Sequence, residues 1–445
     1  MEFPALLVSF GSFLYTVVTF VVALSIIVFV HEFGHYIVGR WSGIRAEVFS
    51  IGFGPKVWSR MDKRGTRWQL AALPFGGYVK FLGDANASSA GADEQTMSHL
   101  SDEEKRHTLH GAPLWARAAT VFAGPAFNFL LSIVVFAGLG FSTGIVTEPP
   151  SIAKLPALPV VNELQPGDVI LSVNGTATPD FEALGDVANT LPEADQIPYE
   201  VSRDGRTLTV TGPTLIPPLI GSIIPLSAAE DAGLKEGDVI TAANGRALAR
   251  FDDLRDEVMK SEGAPVDLTV WRDGATFDTT LTPRERPVEA EGGGFETGYQ
   301  IGIAGGTFFT PTTRMPGPVE ALTGGVRATW GVIDNTFTAI GSMIAGSIST
   351  CNINGPIGMA KVTGTAATAG LVAFIGLIAG LSTAIGLVNL FPIPVLDGGH
   401  LVFHAYEWAF GRPPSDRVMN AAMGIGLALV LGLMLFGLTN DLFCQ

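Results

Sequence analysis

The chain has 445 residues, of which 47% are hydrophobic and only 16% charged. Ordinary soluble proteins carry about 25% charged residues, so the composition predicts a membrane protein. A net charge of -15 excludes the basic surface that nucleic-acid binding needs. The two cysteines, Cys351 and Cys444, form neither a CxxC motif nor a pattern typical of a disulfide framework, so any metal should be held by nitrogen and oxygen.

Four stretches lack charged residues for long enough to form transmembrane helices, which need about 20 residues to cross about 30 Å of hydrocarbon. They are residues 3–30, 118–146, 362–395 and 419–439. The first is longer than the apolar core of a signal peptide, with no basic segment before it and no small-residue cleavage site after it. We therefore expect a retained first helix and four spans.

Basic residues set the expected orientation of the spans. No lysine or arginine precedes Arg40, whereas residues 40–117, between the first two spans, are rich in them. Arg412 and Arg417 lie between the last two spans. Because loops on the cytoplasmic side are enriched in lysine and arginine, both segments are predicted to be cytoplasmic, with residues 147–361 outside.

The first apolar stretch ends in the sequence IIVFVHEFGHYIVGR. His31 and His35 fall on one helix face, where two imidazoles can bind one zinc ion, and Glu32 can reach a water beside it. An HExxH match also arises by chance on soluble helices with solvated histidines. Ionisable groups that continue a long apolar run are costly and therefore usually functional, which favours a metal site.

A catalytic zinc usually has three protein ligands, and Asp397 is the candidate for the third. It ends the predicted third span within NLFPIPVLDGGH, and no other acidic residue lies between Lys361 and Glu407. The alternative is that Asp397 caps a helix beside two glycines, but an unpaired buried acid would be costly. Both spans deliver these residues at their predicted cytoplasmic ends.

A second histidine pair begins at the end of this motif with His400 and continues at His404, and no glutamate follows His400. We expect these residues to pack or to lie at the interface, with His400 a weaker candidate for contact with a zinc ligand. Pro392 and Pro394 interrupt the third span, and non-helical backbone at this depth requires cover by protein or a water-filled cavity.

The outer segment contains an internal repeat. Residues 163–175 read ELQPGDVILSVNG and residues 233–245 read GLKEGDVITAANG, and each copy precedes a hairpin signal, SRDGRTLTV or WRDGATFDT. The pattern resembles PDZ domains, which capture peptides at a sheet edge, although the first copy departs from the bacterial pattern. The alternative is that both copies are spacers that bind nothing.

Residues 286–361 have a less specific pattern. Three glycines at 292–294 predict a flexible linker, and residues 319–344 have helical apolar spacing interrupted by charges. We expect either an amphipathic helix on the outer membrane surface or a covering helix of the outer domain.

The motifs together resemble the site-2 protease family, most closely the bacterial RseP-like proteases with two PDZ modules. HEFGH at 31–35 and NLFPIPVLDG at 389–398 match the family's HExxH and NxxPxPxLDG, SIGFGP at 50–55 is similar to its membrane re-entrant β-loop, and GPAFN at 124–128 is similar to a packing motif of its second span. The resemblance implies that Asp397 is the third zinc ligand and that Glu32 is the general base. It also implies substrate contacts at Asn389, Gly52, Phe53, Gly54, Pro392 and Pro394.

We therefore predict a polytopic α-helical membrane protein with four transmembrane helices, a cytoplasmic-side re-entrant β-loop and two β-rich PDZ-like domains outside the membrane. The predicted parts are a first helix (1–40), a cytoplasmic-side segment (41–113), a second helix (114–146), PDZ-like domains (147–215 and 216–285), a linker and amphipathic helix (286–361), a third helix (362–405) and a fourth (413–440).

The expected activity is that of an intramembrane zinc metalloendopeptidase of the bacterial inner membrane with one Zn²⁺ per chain. The resemblance implies substrates that are transmembrane segments of single-span proteins, such as trimmed anti-sigma factors and signal-peptide remnants, with the PDZ domains as a size filter. The lipid bilayer is an expected partner and PDZ ligands are a further candidate class, whereas nucleic acid is not expected.

Two other classes of protein are alternatives. A non-catalytic scaffold that presents PDZ modules is disfavoured because Glu32 has no structural need to stand beside two histidines. A zinc transporter is disfavoured because the four spans show no repeated half-helix pattern.

Overall fold

A computed structural model describes residues 3–85, 91, 93–191, 194, 196–224, 227–289 and 294–443. The chain divides into two compact units. The helical unit comprises Met1–Leu139, Pro318–Phe337 and Ile353–Gln445, and the β-rich unit comprises Gly140–Gly317 and Thr338–Asn352.

The first part of the helical unit consists of two long helices with a small sheet between them in sequence. Its elements are α1 (Phe3–Trp41), β1 (Ala46–Met61), β2 (Arg67–Phe81), α2 (Glu94–His99), α3 (Asp102–Lys105) and α4 (Leu114–Thr143). The α1 helix is about 58 Å long at 1.5 Å per residue, so it exceeds the thickness of a bilayer core.

The second part of the unit contains the remaining long helices. Its elements are α8 (Pro318–Ile344, which extends past the unit), α9 (Pro356–Thr368), α10 (Leu371–Asn389), α11 (Asp397–Phe410) and α12 (Asp416–Phe443). Four helical stretches among the described residues are long and apolar enough to cross a membrane: Gly11–Trp41, Leu114–Thr143, Leu371–Asn389 and Arg417–Phe443. The prediction of four apolar helices is thereby confirmed.

The third predicted helix, 362–405, is wrong as one continuous element. It contains most of α9, all of α10 and the start of α11, and only α10 is long and apolar enough to span. The first break falls at Gly370, whose φ of 119° no helix accommodates. The second break follows from the prolines after α10, because proline lacks the N–H that a helix needs.

The β1 and β2 strands form a sheet of four segments. Within β1, Ser50 lies opposite Tyr78 on one side and opposite Gln69 on the other, so residues 46–51 are central. The second half of β1 pairs with the far side of the first half of β2. Residues 77–81 therefore form one edge of the sheet.

Aromatic packing attaches this sheet to α1. The buried ring of Phe49 stacks on Trp68 at 4.3 Å and meets the edge of Phe29 on α1 at 5.7 Å. Tyr36, the residue directly after His35, packs edge-on against Phe49 as well. These contacts hold the 77–81 edge close to the motif helix.

The β-rich unit carries the internal repeat. Its elements in the repeat region are β3 (Ile145–Val146), β4 (Ile152–Lys154), β5 (Val169–Val173), β6 (Thr176–Ala177), α5 (Phe181–Thr190), β7 (Gln196–Arg203), β8 (Arg206–Pro213), β9 (Ile220–Ile223), α6 (Ala228–Asp231), β10 (Val239–Ala243), β11 (Arg246–Ala247), α7 (Phe251–Lys260), β12 (Val266–Arg272) and β13 (Ala275–Leu281).

The two copies of the repeat form two modules with the same strand order. Module 1 has the order β6-β5-β7-β8 and module 2 the order β11-β10-β12-β13. Ile170 and Ile240, at equivalent repeat positions, are both fully buried. The predicted hairpins form at Asp204 and Asp273, each with positive φ and followed by glycine. Two β-rich regions are therefore present as predicted.

The segment after module 2 returns to complete both modules. Its elements are β14 (Arg284–Glu289), β15 (Phe295–Gln300), β16 (Ile303–Gly305), β17 (Thr310–Pro311) and β18 (Thr313–Arg314). Among these, β16 pairs with β9, β17 with β4 and β18 with β3. Phe308 and Phe309 are buried in the core of module 1.

The predicted C-terminal boundaries are therefore wrong for the two domains, 147–215 and 216–285, and for the linker region, 286–361. The strands from 303 to 314 pair with much earlier parts of the chain, and the sequence carries no periodic signal for such short strands. Of the predicted glycine linker, residues 292 and 293 lie outside the described residues.

The predicted helix at 319–344 is α8. Its first part belongs to the helical unit: Gly325 packs on the backbone of α4 at Ile133 and Ala137, and Phe337 stacks on Phe391 at 6.3 Å. The alternative in which the whole helix covers the outer domain is therefore wrong.

A short 3-10 helix (Thr350–Asn352) follows α8 and contains Cys351, which is disulfide-bonded. The expectation that the cysteines form no disulfide pattern is corrected at this residue. Cys444 lies outside the described residues.

Candidate metalloprotease centre

The two motif histidines direct the same ring nitrogen toward one point. His31 and His35 lie one turn apart on α1, with ring centroids 4.7 Å apart and Nε2 atoms 3.2 Å apart. The Nδ1 of His35 is 2.8 Å from the carbonyl oxygen of Thr120. Because a carbonyl only accepts, this Nδ1 carries the proton, and Nε2 of the neutral ring is free to bind a metal.

Asp397 reaches the same point from the other side of the unit. It is the first residue of α11, and its Oδ2 is 3.2 Å from Nε2 of His31 and 3.5 Å from Nε2 of His35. A Cβ at Gly398 would overlap the carbonyls of Leu390 and Phe391, so the turn after Asp397 can only be this tight with glycine there. The glycines of LDGG thus position Asp397, and its side chain does not cap the helix.

These three side chains fit a zinc ion. Their ligand atoms all lie within 4.8 Å of one another, and two nitrogens with one carboxylate oxygen are a common catalytic zinc set. Oδ2 of Asp397 is buried and accepts no hydrogen bond from the described residues. A buried carboxylate without a donor is costly, and a cation between the three atoms removes that cost.

The second span makes room for this arrangement. Gly124 on α4 lies against both histidine rings, and a Cβ there would overlap Nε2 of His35 and come within 2.8 Å of Cε1 of His31. No residue with a side chain fits at this position while the two rings keep their places. The GPAFN sequence is therefore needed at the centre itself as well as for helix packing.

Glu32 lies on the same helix turn but contacts the sheet. The backbone N–H of Val79 donates a hydrogen bond to its carboxylate, and its Cγ packs beside Gly77. The 77–81 edge of the sheet therefore orients Glu32 next to the predicted metal ligands.

A cavity of about 500 Å³ opens onto these residues. It is lined by His31, Glu32, His35, Asp397 and Asn389 and by residues of the 77–81 edge. The histidine side chains are each 12% exposed and Asp397 is 18% exposed, so water can enter.

Comparison with known proteins identifies the family. The model of "Peptidase family M50" matches residues 19–433. The Regulator of sigma-E protease RseP of Escherichia coli is 33% identical over 97% of this chain and 99% of its own length. A protein of Agrobacterium fabrum named as a candidate zinc metalloprotease is 38% identical over 96% of this chain and 95% of its own length.

The chain belongs to peptidase family M50, the site-2 protease family. It is a zinc metalloprotease, and its apolar helices and bacterial RseP relatives make it an inner-membrane protein. The scaffold and transporter alternatives are thereby set aside. Among solved structures, a PDZ domain of an SdrC-like protein from Listeria monocytogenes aligns with 20% of this chain and 84% of its own length at 19% identity, with a TM-score of 0.16 that carries no fold argument.

The cavity of this M50 protein includes only some of the substrate contacts expected from the sequence. Asn389 and Phe53 line it, whereas Gly52, Gly54, Pro392 and Pro394 do not. His400 also lines the cavity, so it comes closer to the centre than a packing role requires.

Sequence reasoning missed the residues behind the histidines. Asn128 is fully buried on α4, with Nδ2 3.3 Å from Nδ1 of His31, and its Oδ1 has no partner among the described residues. Turning the amide over would let Oδ1 accept from Nδ1–H, which leaves Nε2 of His31 free for zinc. The sequence does carry a signal for Asn128, since it is a polar amide within a predicted span that has no charged residue.

Proposed function

We propose that this protein cleaves transmembrane segments of single-span membrane proteins, with zinc held by His31, His35 and Asp397 and with Glu32 as the general base. One observation carries the proposal: a buried Asp397 oxygen, which has no hydrogen-bond donor in the described part of the chain, lies 3.2 and 3.5 Å from two histidine nitrogens that face it. Such an arrangement inside an apolar helical unit suits peptide hydrolysis at membrane depth.

The residues divide the chemistry among themselves. When bound, zinc supplies a Lewis acid and makes water acidic enough to react near neutral pH. Glu32 takes a proton from the attacking water and delivers it to the leaving amine. The N–H of Val79 holds the Glu32 carboxylate in place, which limits the reorganisation that the proton transfer needs.

Substrate backbone would bind along the 77–81 edge rather than along residues 50–55. A transmembrane helix hides its carbonyls in its own hydrogen bonds, so a scissile segment must unwind, and a sheet edge can replace the lost partners. Residues 77–81 line the cavity at Gly77, Tyr78, Val79 and Phe81, whereas residues 50–51 pair on both sides within the sheet. Asn389 faces the same cavity and is suited to hold the substrate backbone.

The test is cleavage of a reporter transmembrane segment by purified protein in detergent, with bound zinc counted. Glu32→Gln should keep its zinc and lose about 10²-fold or more of the rate, because a positioned general base contributes that much. Glu103→Gln, which alters an exposed carboxylate on α3 that does not line the cavity, is the matched control and should cut normally. Equal cleavage by Glu32→Gln and the native chain would refute the assignment.

The two β-rich modules are proposed to be PDZ domains outside the cytoplasm that exclude substrates whose outer domain is still attached. The relative in Escherichia coli is named a regulator of sigma-E protease, which favours trimmed anti-sigma factors as substrates, and the family resemblance adds signal-peptide remnants. The modules form a unit of their own that enters and leaves through paired strands, with Val146 opposite Thr313.

That pairing gives a clean excision. Deleting residues 147–312 and joining Val146 to Thr313 through a short glycine linker removes both modules with their returning strands. Deletion of 147–285 alone would leave Phe308 and Phe309 exposed, because it removes the core in which they are buried. The excised chain should cut substrates that retain an outer domain, while trimmed substrates are cut at the native rate. Unchanged selectivity would contradict the filter.

A further inference from the structure

The helical unit contains a second cavity, of about 450 Å³. Its walls are Phe20, Leu24 and Ile27 of α1, Ala384 of α10, and neighbouring residues of α9 and α12. None of the described residues that line it is charged, so the space suits apolar groups.

This cavity adjoins the catalytic cavity. Asn389 lines both of them. On α1, Ile27 lies one turn, about 6 Å, before His31, and Phe20 lies about 16 Å before it at 1.5 Å per residue. The second cavity thus extends from the metal centre toward the N-terminal end of α1.

Hydrogen bonds hold the wall opposite α1 in place. Asp441 at the end of α12 accepts from the N–H groups of Gly355 and Ile357, each at 2.9 Å, at the start of α9. Gly437 packs directly against Gly355. The wall is therefore fixed between two helices, as in a preformed binding site.

The cavity also opens sideways. Val388, Leu433 and Met434 line it and have large exposed fractions, although they are apolar. Exposed apolar side chains of this kind on a membrane helix face the hydrocarbon, so an apolar segment can enter laterally without crossing water.

We propose that this second cavity binds apolar side chains of the substrate near its scissile bond, on the side toward the N-terminal end of α1. An extended chain rises about 3.3 Å per residue, so the bound side chains stand about two to five residues from the bond that is cut. The proposal rests on the proposed function, because it assumes that a transmembrane segment is the substrate.

The position of the cavity favours this occupant over an acyl chain, and its size is sufficient for substrate side chains. A cavity of about 150 Å³ holds a benzene ring, so 450 Å³ accommodates two or three large side chains. Continuity with the catalytic cavity through Asn389 places that space directly along an unwound substrate bound at the metal centre.

The test is to make the cavity smaller and then to make the substrate side chain smaller, and to measure cleavage each time. Ala384→Phe should fill the cavity and raise KM about tenfold or more for a reporter with leucines around the cut, since misfit of a methylene or more in an apolar pocket has that effect. Alanine at one reporter position two to five residues from the cut should restore cleavage. Ala373→Phe, an equal change at an exposed position on the same helix, is the control and should behave as native.

A second variant guards against misfolding by Ala384→Phe. Met434→Ala, at a half-exposed lining position, should enlarge the cavity and make phenylalanine or tryptophan acceptable at that same reporter position. If both variants keep the native side-chain preference while the native chain cleaves, the cavity holds lipid only and the proposal is overturned. If the native chain cuts no transmembrane reporter at all, the proposed function fails instead.

Discussion

The two units surround three of their aspartates in opposite ways. In the β-rich unit, Asp168 and Asp238 each accept two hydrogen bonds from one arginine, Arg203 or Arg272, at 2.6 to 2.7 Å. A backbone N–H at 2.8 Å completes each set. In the helical unit, Oδ2 of Asp397 faces Nε2 of His31 and of His35 and has no hydrogen-bond partner among the described residues.

The difference separates structural acids from functional ones. The repeat motif GDVI supplies Asp168 and Asp238, and their arginines stand just before the hairpin turns of both copies, so each pair is complete within its own module. Oδ2 of Asp397 has no such set among the described residues, and a cation would supply the missing partner. Incomplete pairing of this buried oxygen therefore distinguishes Asp397 from the two structural aspartates of the modules.

The largest expected effect on zinc binding and cleavage comes from neutralising Asp397. Asp397→Asn should lower zinc affinity by more than the about 10- to 100-fold that loss of an outer hydrogen bond costs, and should abolish cleavage. Helicity and thermal unfolding of the zinc-free protein should change little, because the native carboxylate is itself unsatisfied. A variant that retains full zinc would contradict the third-ligand assignment.

Neutralising Asp238, whose hydrogen bonds are complete within module 2, should lower stability and leave cleavage unchanged. Asp238→Asn leaves Arg272 without its partner, and we expect about 2 to 3 kcal/mol less stability in module 2, reduced from the value for fully buried pairs because Arg272 is partly exposed. Hydrogen exchange of β10 and β12 in the full-length protein measures this change. Cleavage of a trimmed substrate should be unaltered, and loss of that cleavage would contradict the separation of roles.

The sequence predicted the catalytic centre and the two modules only in part. HEFGH and LDGG were recognisable because ionisable residues beside long apolar runs are rare, and the module repeat because its turns require asparagine or aspartate followed by glycine. The break at Gly370 was missed because residues 362–395 carry no charge to interrupt the apolar pattern. The strands at 303–314 are two or three residues long, too short for any periodicity.

Contacts between distant segments were also beyond sequence reasoning. The SIGFGP resemblance predicts substrate contacts at Gly52, Phe53 and Gly54, but the sheet edge beside Glu32 is formed by 77–81, because residues 46–51 pair on both sides. No local pattern reports which of several strand segments ends at the edge of a sheet. Only Phe53 of the predicted loop residues reaches the cavity.

A smaller effect should follow from changes at Asn128. Asn128→Leu removes the partner of His31 Nδ1 and should weaken zinc binding about 10- to 100-fold, whereas Asn128→Asp keeps an acceptor and should restore it. Chelator competition and the absorption spectrum of bound Co²⁺ report the metal directly.

The control for Asn128 lies at the same helix junction. The hydroxyl of Ser382 donates to the backbone oxygen of Asn128 at 2.9 Å, so Ser382→Ala disturbs the packing of α4 on α10 without touching His31. Equal zinc affinities for Asn128→Leu and Ser382→Ala would assign Asn128 to packing alone.

The smallest effect is the acid sensitivity of module 1. Burial alone would raise the pKa of Asp168, but hydrogen bonds from Arg203 and from the N–H of Gln165, with the charge of Arg203, lower it below the ordinary value of 3.8. A lowered folded-state pKa contributes stability that is fully present above 3.8 and is lost as the pH falls through the folded value. Hydrogen exchange of the β5 and β7 amides, corrected for the intrinsic pH dependence, should therefore show module 1 opening more readily below about pH 4.

The Asp168→Asn variant is the control for this pH dependence. Its module 1 should be less stable at neutral pH, and its stability should depend less on acid, since the titrating group is gone. An unchanged acid dependence in that variant would mean that other carboxyl groups govern the stability of the module.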